Sequence, residues 1–397
     1  MQTDMVNPDF PAGTIEGQTR SYPNSIQKLA RYFKAVSADE SIANLADMLD
    51  RDRRIVAVCV VDDGGRPLGV IRRDKLFLLL GKRFGWDLMA KRPVREISEK
   101  APVFPGDANI FTVSPFLSAA FKEGTLELGN SFVILTGPGG AFSGMLSFQD
   151  LSNYFVDMTN GDIAMASLLQ ERFLASADEV SDKVTAVNAW SLPAKGVGGD
   201  FYFIKNLGDR RFFAALCDVS GKGIAASLVV SMAWGFLRAH TIRGGLADLI
   251  RTLNVSMVST FHMEKYLTGF FMIYDADSGE LQFADMGHSH TALLRGNTFH
   301  TLEKTRVNLP IGLDPAIQPA LFRVGIQSGD ALLIYTDGIT EQDNPEGEEF
   351  GDERLLKLVL QSLREEKDLD ALLVPALEEF RQNTPQRDDM TCLFFRF

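Results

Sequence analysis

The chain has 397 residues, with 40 Lys and Arg against 52 Asp and Glu and a formal net charge of −12. Apolar residues make up 45% and charged residues 23%, a globular mixture rather than a disordered one. At roughly 150 residues per domain the length fits two or three domains, and the acidic balance excludes a general nucleic-acid binder or a surface that docks on anionic lipid.

Residues 1–25 carry Asp4, Asp9 and Glu16 and no apolar segment, which is not the pattern of a secretory signal. No stretch reaches the ~18 apolar residues of a membrane span; Ala225 to Phe236 reads as a buried helix instead. Cys59, Cys217 and Cys392 are scattered, so neither a disulfide framework nor a Cys-x-x-Cys metal site is available. The expected setting is cytoplasmic.

Residues 1–24 read as a flexible, turn-rich tail. From 25 to 155 one order of elements occurs twice. Ile42, Leu45, Ala46 and Leu49 keep helical spacing, Ile55 to Val61 is a β-branched strand, and Asp62-Asp63-Gly64-Gly65 turns the chain. Leu68 to Ile71 returns as a strand and Asp74 to Leu80 is a helix. The second copy runs through a helix at Ser114 to Phe121, a strand at Ser131 to Thr136, a turn at Gly137-Pro138-Gly139-Gly140, a strand at Phe142 to Leu146 and a helix at Ser147 to Phe155. A repeat of this kind implies a pseudo-symmetric pair.

This half resembles a tandem cystathionine-β-synthase (CBS) pair, a regulatory module. The family signature Gly-h-h-(Ser/Thr)-x-x-Asp is intact in Gly144-Met145-Leu146-Ser147-Phe148-Gln149-Asp150, and the resemblance implies an adenosyl nucleotide at Gly144, Ser147 and Asp150. The first copy departs from it, with Arg72 after Gly69-Val70-Ile71 and Lys75 at the acidic place, so a ribose would lose its carboxylate acceptor there. The same Ser147 and Asp150 also fit a plain helix cap with an acid in the first turn.

Thr159-Asn160-Gly161-Asp162 reads as a capping region, with Ile163, Ala166, Leu169 and Phe173 at helical spacing beyond it. The expected linker helix covers 156–183. From 184 to 397, apolar strands alternate with turn signals: Thr185 to Ser191, Phe201 to Asn206, Arg211 to Cys217, Thr268 to Tyr274, Leu281 to Asp285, Thr291 to Arg295, Phe322 to Ile326, Ala331 to Tyr335 and Met390 to Arg396. Helical periodicity interrupts them over Gly223 to about Thr260, and over Asp352 to Asn383 with a break near Lys367. The pattern is α+β: two packed antiparallel sheets with helices outside, behind an α/β domain.

Aspartates stand at strand ends repeatedly, several of them flanked by glycine: Asp200 in Gly198-Gly199-Asp200, Asp218 in Asp218-Val219-Ser220-Gly221-Lys222-Gly223, Asp337 in Thr336-Asp337-Gly338, and the pair Asp388-Asp389 immediately before the last strand. One such Asp is ordinary turn punctuation. Several gathered at strand ends repel one another unless a cation offsets them, and oxygen donors without His or Cys select Mg²⁺ or Mn²⁺. Two rival readings fail. A Walker A loop lacks its first glycine, since Leu216 stands there. A dinucleotide-binding turn at Gly221-Lys222-Gly223 needs a strand ending in an acid ~20 residues on, where the chain continues as helix. His288 and His290 lack a third ligand nearby and read as turn or strand-end residues.

From about Lys183 onward the chain resembles a PPM-type, metal-dependent Ser/Thr protein phosphatase of the stage II sporulation protein E subfamily. The stretches that carry the resemblance are Pro193 to Tyr202, Asp218 to Gly223, Gly287-His288, Leu309-Pro310-Ile311-Gly312-Leu313, Gly329-Asp330, Tyr335 to Glu341 and Asp388-Asp389-Met390-Thr391, in family order. Leu168 to Leu174 resembles the helix that leads into such domains. Phe203 replaces the usual Asp after Phe-Tyr, and Met286 the usual Ala before Gly-His; neither is a presumed ligand.

The resemblance implies two divalent cations, Mn²⁺ or Mg²⁺. Asp218 would bridge them with the Val219 carbonyl beside it, Asp200 would hold the second, and Asp337 and Asp388 would complete the first. Asp389 also fits as a ligand, because either acid of the pair suits the place. The implied catalytic set is Asp200, Asp218, Asp337 and Asp388. The implied substrate is a phosphoserine or phosphothreonine on a bacterial signalling protein, a STAS-type anti-sigma-factor antagonist. The CBS-like pair would regulate it through the linker helix, and a homodimer is the expected assembly. The contrasting readings are a nucleotide-sensing scaffold with a non-catalytic phosphatase-like half, and a small-molecule phosphohydrolase.

Overall fold

A computed structural model describes residues 24–115, 131–174 and 186–397. The tail (1–24) and the helix expected at Ser114 to Phe121 lie mostly outside the described residues, as does the linker beyond residue 174. The chain divides between Thr159 and Asn160 into two compact units. Among the described residues no helix is long and apolar enough to cross a membrane.

The first unit contains, in order, β1 (Ala35–Ser37), α1 (Ile42–Arg51), β2 (Ala57–Val61), β3 (Pro67–Arg72), α2 (Arg73–Leu80), α3 (Gly85–Met89), β4 (Val103–Pro105), β5 (Phe132–Thr136) and β6 (Phe142–Ser147), and α4 (Phe148–Leu174) begins in it and continues into the second. Ser41 starts α1 by accepting a hydrogen bond from the Asn44 N–H at 3.2 Å. Ile42, Leu45, Ala46 and Leu49 then form its buried stripe. The repeat is visible in the pairing: β1 lies parallel and β3 antiparallel to β2, and β4 and β6 flank β5 in the same way. Ala57, Cys59 and Val70 of the first copy share a core with Ile134 and Met145 of the second. The segment before β1 completes the second copy, with the Ile26 N–H donating to the Ala108 carbonyl at 2.9 Å.

The helix start expected at the capping region Thr159-Asn160-Gly161-Asp162 does not form, and α4 passes through it unbroken. These four residues are solvent-exposed, so no packing demand forces the chain to bend. Glycine inside an exposed helix costs only about 1 kcal/mol.

The second unit continues with β7 (Ala186–Leu192), β8 (Asp200–Gly208), β9 (Arg211–Val219), α5 (Ile224–Ala239), α6 (Gly245–Phe261), β10 (Leu267–Asp275), β11 (Glu280–Met286), β12 (Thr291–Arg295), β13 (Thr298–His300), β14 (Phe322–Gly325), β15 (Ala331–Tyr335), α7 (Asp337–Thr340), α8 (Gly351–Glu365), α9 (Leu369–Arg381) and β16 (Met390–Arg396). One sheet has the order β14-β11-β10-β9-β8 and the other β13-β12-β15-β16-β7, all antiparallel. Three apolar layers alternate with them. Phe201, Phe213 and Phe271 meet α5 and α6 on one side; Tyr202, Phe212, Phe270, Ile334 and Phe395 fill the space between the sheets; Leu333, Tyr335 and Phe394 meet α8 and α9. Successive residues Phe270 and Phe271 thus serve opposite faces, the period of two that a strand buried on both sides requires.

The helical block expected over Gly223 to Thr260 is two helices. Gly245, with φ +78°, starts the second in a left-handed conformation that suits glycine. The short β13 carried too little apolar pattern to be expected. The two-sheet α+β architecture is as the strand pattern implied. It brings the start of β8 opposite the end of β9 and the start of β16 beside the end of β15, which gathers the strand-end acids.

Candidate metal centre

Asp200 and Asp218 face each other directly across the β8–β9 pair, so their side chains share one face of the sheet. The second sheet is tied to them by Thr336, whose Oγ1 donates to Asp200 Oδ2 at 2.7 Å and accepts the Thr391 N–H at 2.9 Å. Asp337 follows Thr336 as the first residue of α7, and Asp388-Asp389 precede β16. Glycine allows these loops to touch. A Cβ on Gly338 would lie 2.0 Å from the Asp389 carbonyl oxygen, and one on Gly199 would lie 2.9 Å from the Val219 carbonyl oxygen.

The electrostatics confirm that the acids share one field. Asp200 is buried, and its carboxyl is held well above the ordinary carboxylate range, first by burial and then by the charge of Asp218. The hydroxyls of Thr336 and Thr391 offset part of this rise. Asp218 is pushed up to about 7, by burial first and then by Asp337, Asp388 and Asp389, while Lys222 pulls it down. Glu341, exposed beside them, is raised by burial and by Asp337 among others.

The two acids at 388 and 389 differ in surroundings. Asp389 is buried, and both its oxygens accept backbone N–H groups, Oδ1 from Ala194 at 2.7 Å and Oδ2 from Gly199 at 2.6 Å. Asp388 is half exposed and faces Lys222, with Oδ2 2.6 Å from the ammonium Nζ. Asp389 therefore clamps the glycine-rich loop, while Asp388 takes the Lys222 ammonium on Oδ2 and the Asp389 N–H on Oδ1 at 2.9 Å.

Among the described residues, no three Asp, Glu, His or Cys side chains stand close enough together to hold a metal ion as placed. Carboxylates that repel one another do not close up unaided. The donor set still suits hard cations. It is all oxygen, two of its members are pushed toward the protonated form by burial and like charge, and one is neutralised by a lysine.

Two residues the motifs did not single out contribute. Thr336 orients Asp200, and its only sequence signal is its place before Asp337. Gln170, on α4 and buried, reads the Gly198 peptide in both directions: its Nε2 donates to the carbonyl and its Oε1 accepts the N–H, each at 3.0 Å. Phe173 stacks on Trp234 at 4.9 Å near the same helix end. No side-chain nucleophile presents itself. Cys217, Cys59 and Cys392 are buried, with burial pushing the last two up to about 12. His288 is buried and lowered to about 4 by burial, hence neutral; its backbone N–H donates to Asp285 Oδ1 at 2.8 Å, the turn role expected of it.

In the first unit, Gly144, Ser147 and Asp150 lie at the β6–α4 junction. Gly144 has φ +150°, and a Cβ there would press on Phe33 and Ala30 at 3.0 and 3.1 Å. Asp150 accepts from the Ser147 N–H at 2.8 Å and hydroxyl at 2.5 Å, and pairs with Arg31 at 3.1 Å. Beside them opens a cleft of about 780 Å³ lined by Tyr32, Arg72, Arg73, Phe77, Phe132 and Ser147, among others. Arg72 stands where the second copy has Ser147, bonded to Asp74 at 2.9 and 3.1 Å.

Residues 208–397 match the family described as stage II sporulation protein E (SpoIIE), and residues 28–82 match the CBS domain. Protein IcfG of Synechocystis sp. is 25% identical over 52% of this chain and 37% of its own length. Phosphoserine phosphatase RsbU of Bacillus subtilis is 27% identical over 45% of this chain and 53% of its own length. The chain thus spans about half or less of these relatives. The SiaA-PP2C domain of Pseudomonas aeruginosa has the same fold, with a TM-score of 0.53 and 22% identity over 61% of this chain and 98% of that domain.

Two outcomes follow from the geometry of the acids. With metal removed, Asp389→Asn places an amide against one of two backbone N–H groups and loses on the order of 2 kcal/mol in chemical denaturation. Asp388→Asn stays within about 1 kcal/mol of wild type. Equal losses would contradict the different roles of the two acids.

The second outcome concerns pH. The unfolded chain ionises Asp218 near the ordinary carboxylate value, whereas the folded protein keeps that proton until about pH 7. The folded form binds more protons in between, so this contribution to metal-free stability is present at acid pH and is lost as pH rises from about 4 to about 7. Melting temperatures across this range fall more steeply for wild type than for Asp218→Asn; parallel curves would remove Asp218 as the cause.

Proposed function

We propose, from the premise that the chain carries a SpoIIE-family domain of PPM phosphatase fold behind a CBS domain, that it is a metal-dependent phosphoprotein phosphatase. The observation that carries this reading is the convergence of Asp200, Asp218, Asp337 and Asp388 on one site at the ends of both sheets. These carboxylates and the Val219 carbonyl would hold two Mn²⁺ or Mg²⁺ ions. Bound there, the ions supply an activated water and charge neutralisation for a phosphoryl group.

The protein's own contribution is positional. The Thr336 hydroxyl aims the Asp200 carboxylate, and Asp389 fixes the Gly199 peptide next to it. No phosphoenzyme is required, in keeping with the inert cysteines. The substrate class we assign is a phosphoserine or phosphothreonine on a signalling protein, with a STAS-type antagonist as the specific candidate, in a cytoplasmic setting. The similarity to phosphoserine phosphatase RsbU supports this class.

The test is hydrolysis of p-nitrophenyl phosphate and of a phosphorylated STAS protein with Mn²⁺, Mg²⁺ or chelator. Asp218→Asn and Asp337→Asn each lose about 100-fold or more of the metal-dependent rate, on the scale of 1.4 kcal/mol per factor of ten. Absence of activity with every metal supports the scaffold reading. Preference for a free ester over the phosphoprotein supports the small-molecule reading.

We further propose that the CBS-like unit regulates this site through α4, with an adenosyl nucleotide in the cleft that Arg72 and Ser147 line. The support is the helix itself, which begins at the Ser147–Asp150 cap and carries Gln170 against Gly198. Gln170→Ala releases that peptide, and both phosphatase rate and apparent Mn²⁺ affinity fall several-fold in the full-length protein. If neither changes, the helix plays no part in control.

A further inference from the structure

One side chain ties the loop that follows Asp218 to the loop that carries Asp388. Lys222 Nζ lies 2.6 Å from Asp388 Oδ2 and donates to the Arg387 carbonyl at 2.9 Å. Gly221 and Gly223 flank it with φ +95° and +72°, left-handed conformations that let the loop double back before α5. Lys265 holds the same loop by donating to the Ser220 carbonyl at 3.0 Å.

The pair is poorly placed for a purely structural bridge. Lys222 is 39% exposed and Asp388 41%, and an ion pair so open to water adds little to folding. Its surroundings give it another use. Lys222 opposes the charges of Asp337, Asp388 and Asp389 that act on Asp218. It joins the same two loops that a cation held by Asp218 and Asp388 would join, so ammonium and metal ion compete for one carboxylate.

We propose that Lys222 is the resident counter-ion of the acidic centre, holding Asp388 while divalent ions are absent and leaving it when an ion binds. The inference rests on the reading of Asp388 as a metal ligand. Loading is then an exchange: the Asp388 carboxylate gains the ion, and the ammonium swings off to solvent while still tethered at the mouth of the site. The lysine sets metal affinity below what the carboxylates alone would give. It also protects the metal-free state from its own repulsion.

The test is calorimetric titration of Mn²⁺ into the metal-free, full-length protein. Lys222→Gln binds Mn²⁺ about three- to tenfold more tightly than wild type, the size expected for loss of a half-exposed competing pair. Lys222→Met repeats the measurement if the first variant folds poorly. Lys222→Arg binds no more tightly than wild type, because a guanidinium keeps its hold on the carboxylate. In an Asp388→Asn background, Lys222→Gln brings no gain, as coupling through that contact requires. Unchanged or weaker binding by both neutral variants overturns the proposal, as does an equal gain without Asp388. If wild type binds no Mn²⁺ that Asp337→Asn weakens, the metal reading itself fails and this inference with it.

Discussion

Asp200 and Asp218 stand directly opposite each other at the end of a β-pair, with Asp337 and the Asp388-Asp389 pair closing in from the other sheet. Like charges in a partly buried site repel far more strongly than in water, and most of the local structure of the second unit answers that repulsion. Thr336 gives Asp200 a hydroxyl donor, the Ala194 and Gly199 peptides saturate Asp389, and Lys222 offsets Asp388. What these donors leave uncompensated appears as raised proton affinity at Asp200 and Asp218. A divalent ion would remove that residue of repulsion outright, whereas protons remove it only at acid pH. The acids sit where the ends of both sheets meet, tied by the Thr336 hydroxyl to Asp200 and by the Thr391 N–H to Thr336.

Saturation separates the structural acids from the functional ones. Asp330 is buried, yet although burial pushes it up, Arg295 and the Gln327 N–H hold it below the ordinary carboxylate value. Asp285 takes Lys304 at 2.6 Å and the His288 N–H at 2.8 Å. Each has a full set of donors and rigidifies a turn. Asp200 and Asp218 face other acids instead, a placement that stability alone does not favour.

The sequence made the architecture legible because both sheets are buried on their faces and read as long apolar runs, such as Leu267 to Tyr274. The four acids were legible because each stands at or next to a strand end, three of them in stretches that contain glycine. What could not be read depended on contacts between distant segments. Asp388 and Asp389 are identical in local pattern, and only the approach of Ala194 and Gly199 tells them apart. The polar stretch at residues 159–162 carries capping residues, but capping is only a local preference, and the helix passes through it. Gln170 stood in the stretch Leu168 to Leu174 with no role of its own. Its role arises from Gly198, 28 positions away.

That last contact has a strength suited to control. Gln170 meets Gly198 through two neutral hydrogen bonds, each worth about 1 kcal/mol net. Together they bias the loop by about 2 kcal/mol, roughly a thirtyfold change in population. This lies within the range of couplings between sites, about 1–3 kcal/mol. A buried ion pair at the same place would lock the loop, since breaking one costs about 3–5 kcal/mol. A single exposed bond would hardly register. The peptide so held is followed by Gly199, which Asp389 grips, and then by Asp200 itself. The helix end is thus joined, through two contacts between a side chain and a peptide, to the loop that ends at the most deeply buried carboxylate of the group.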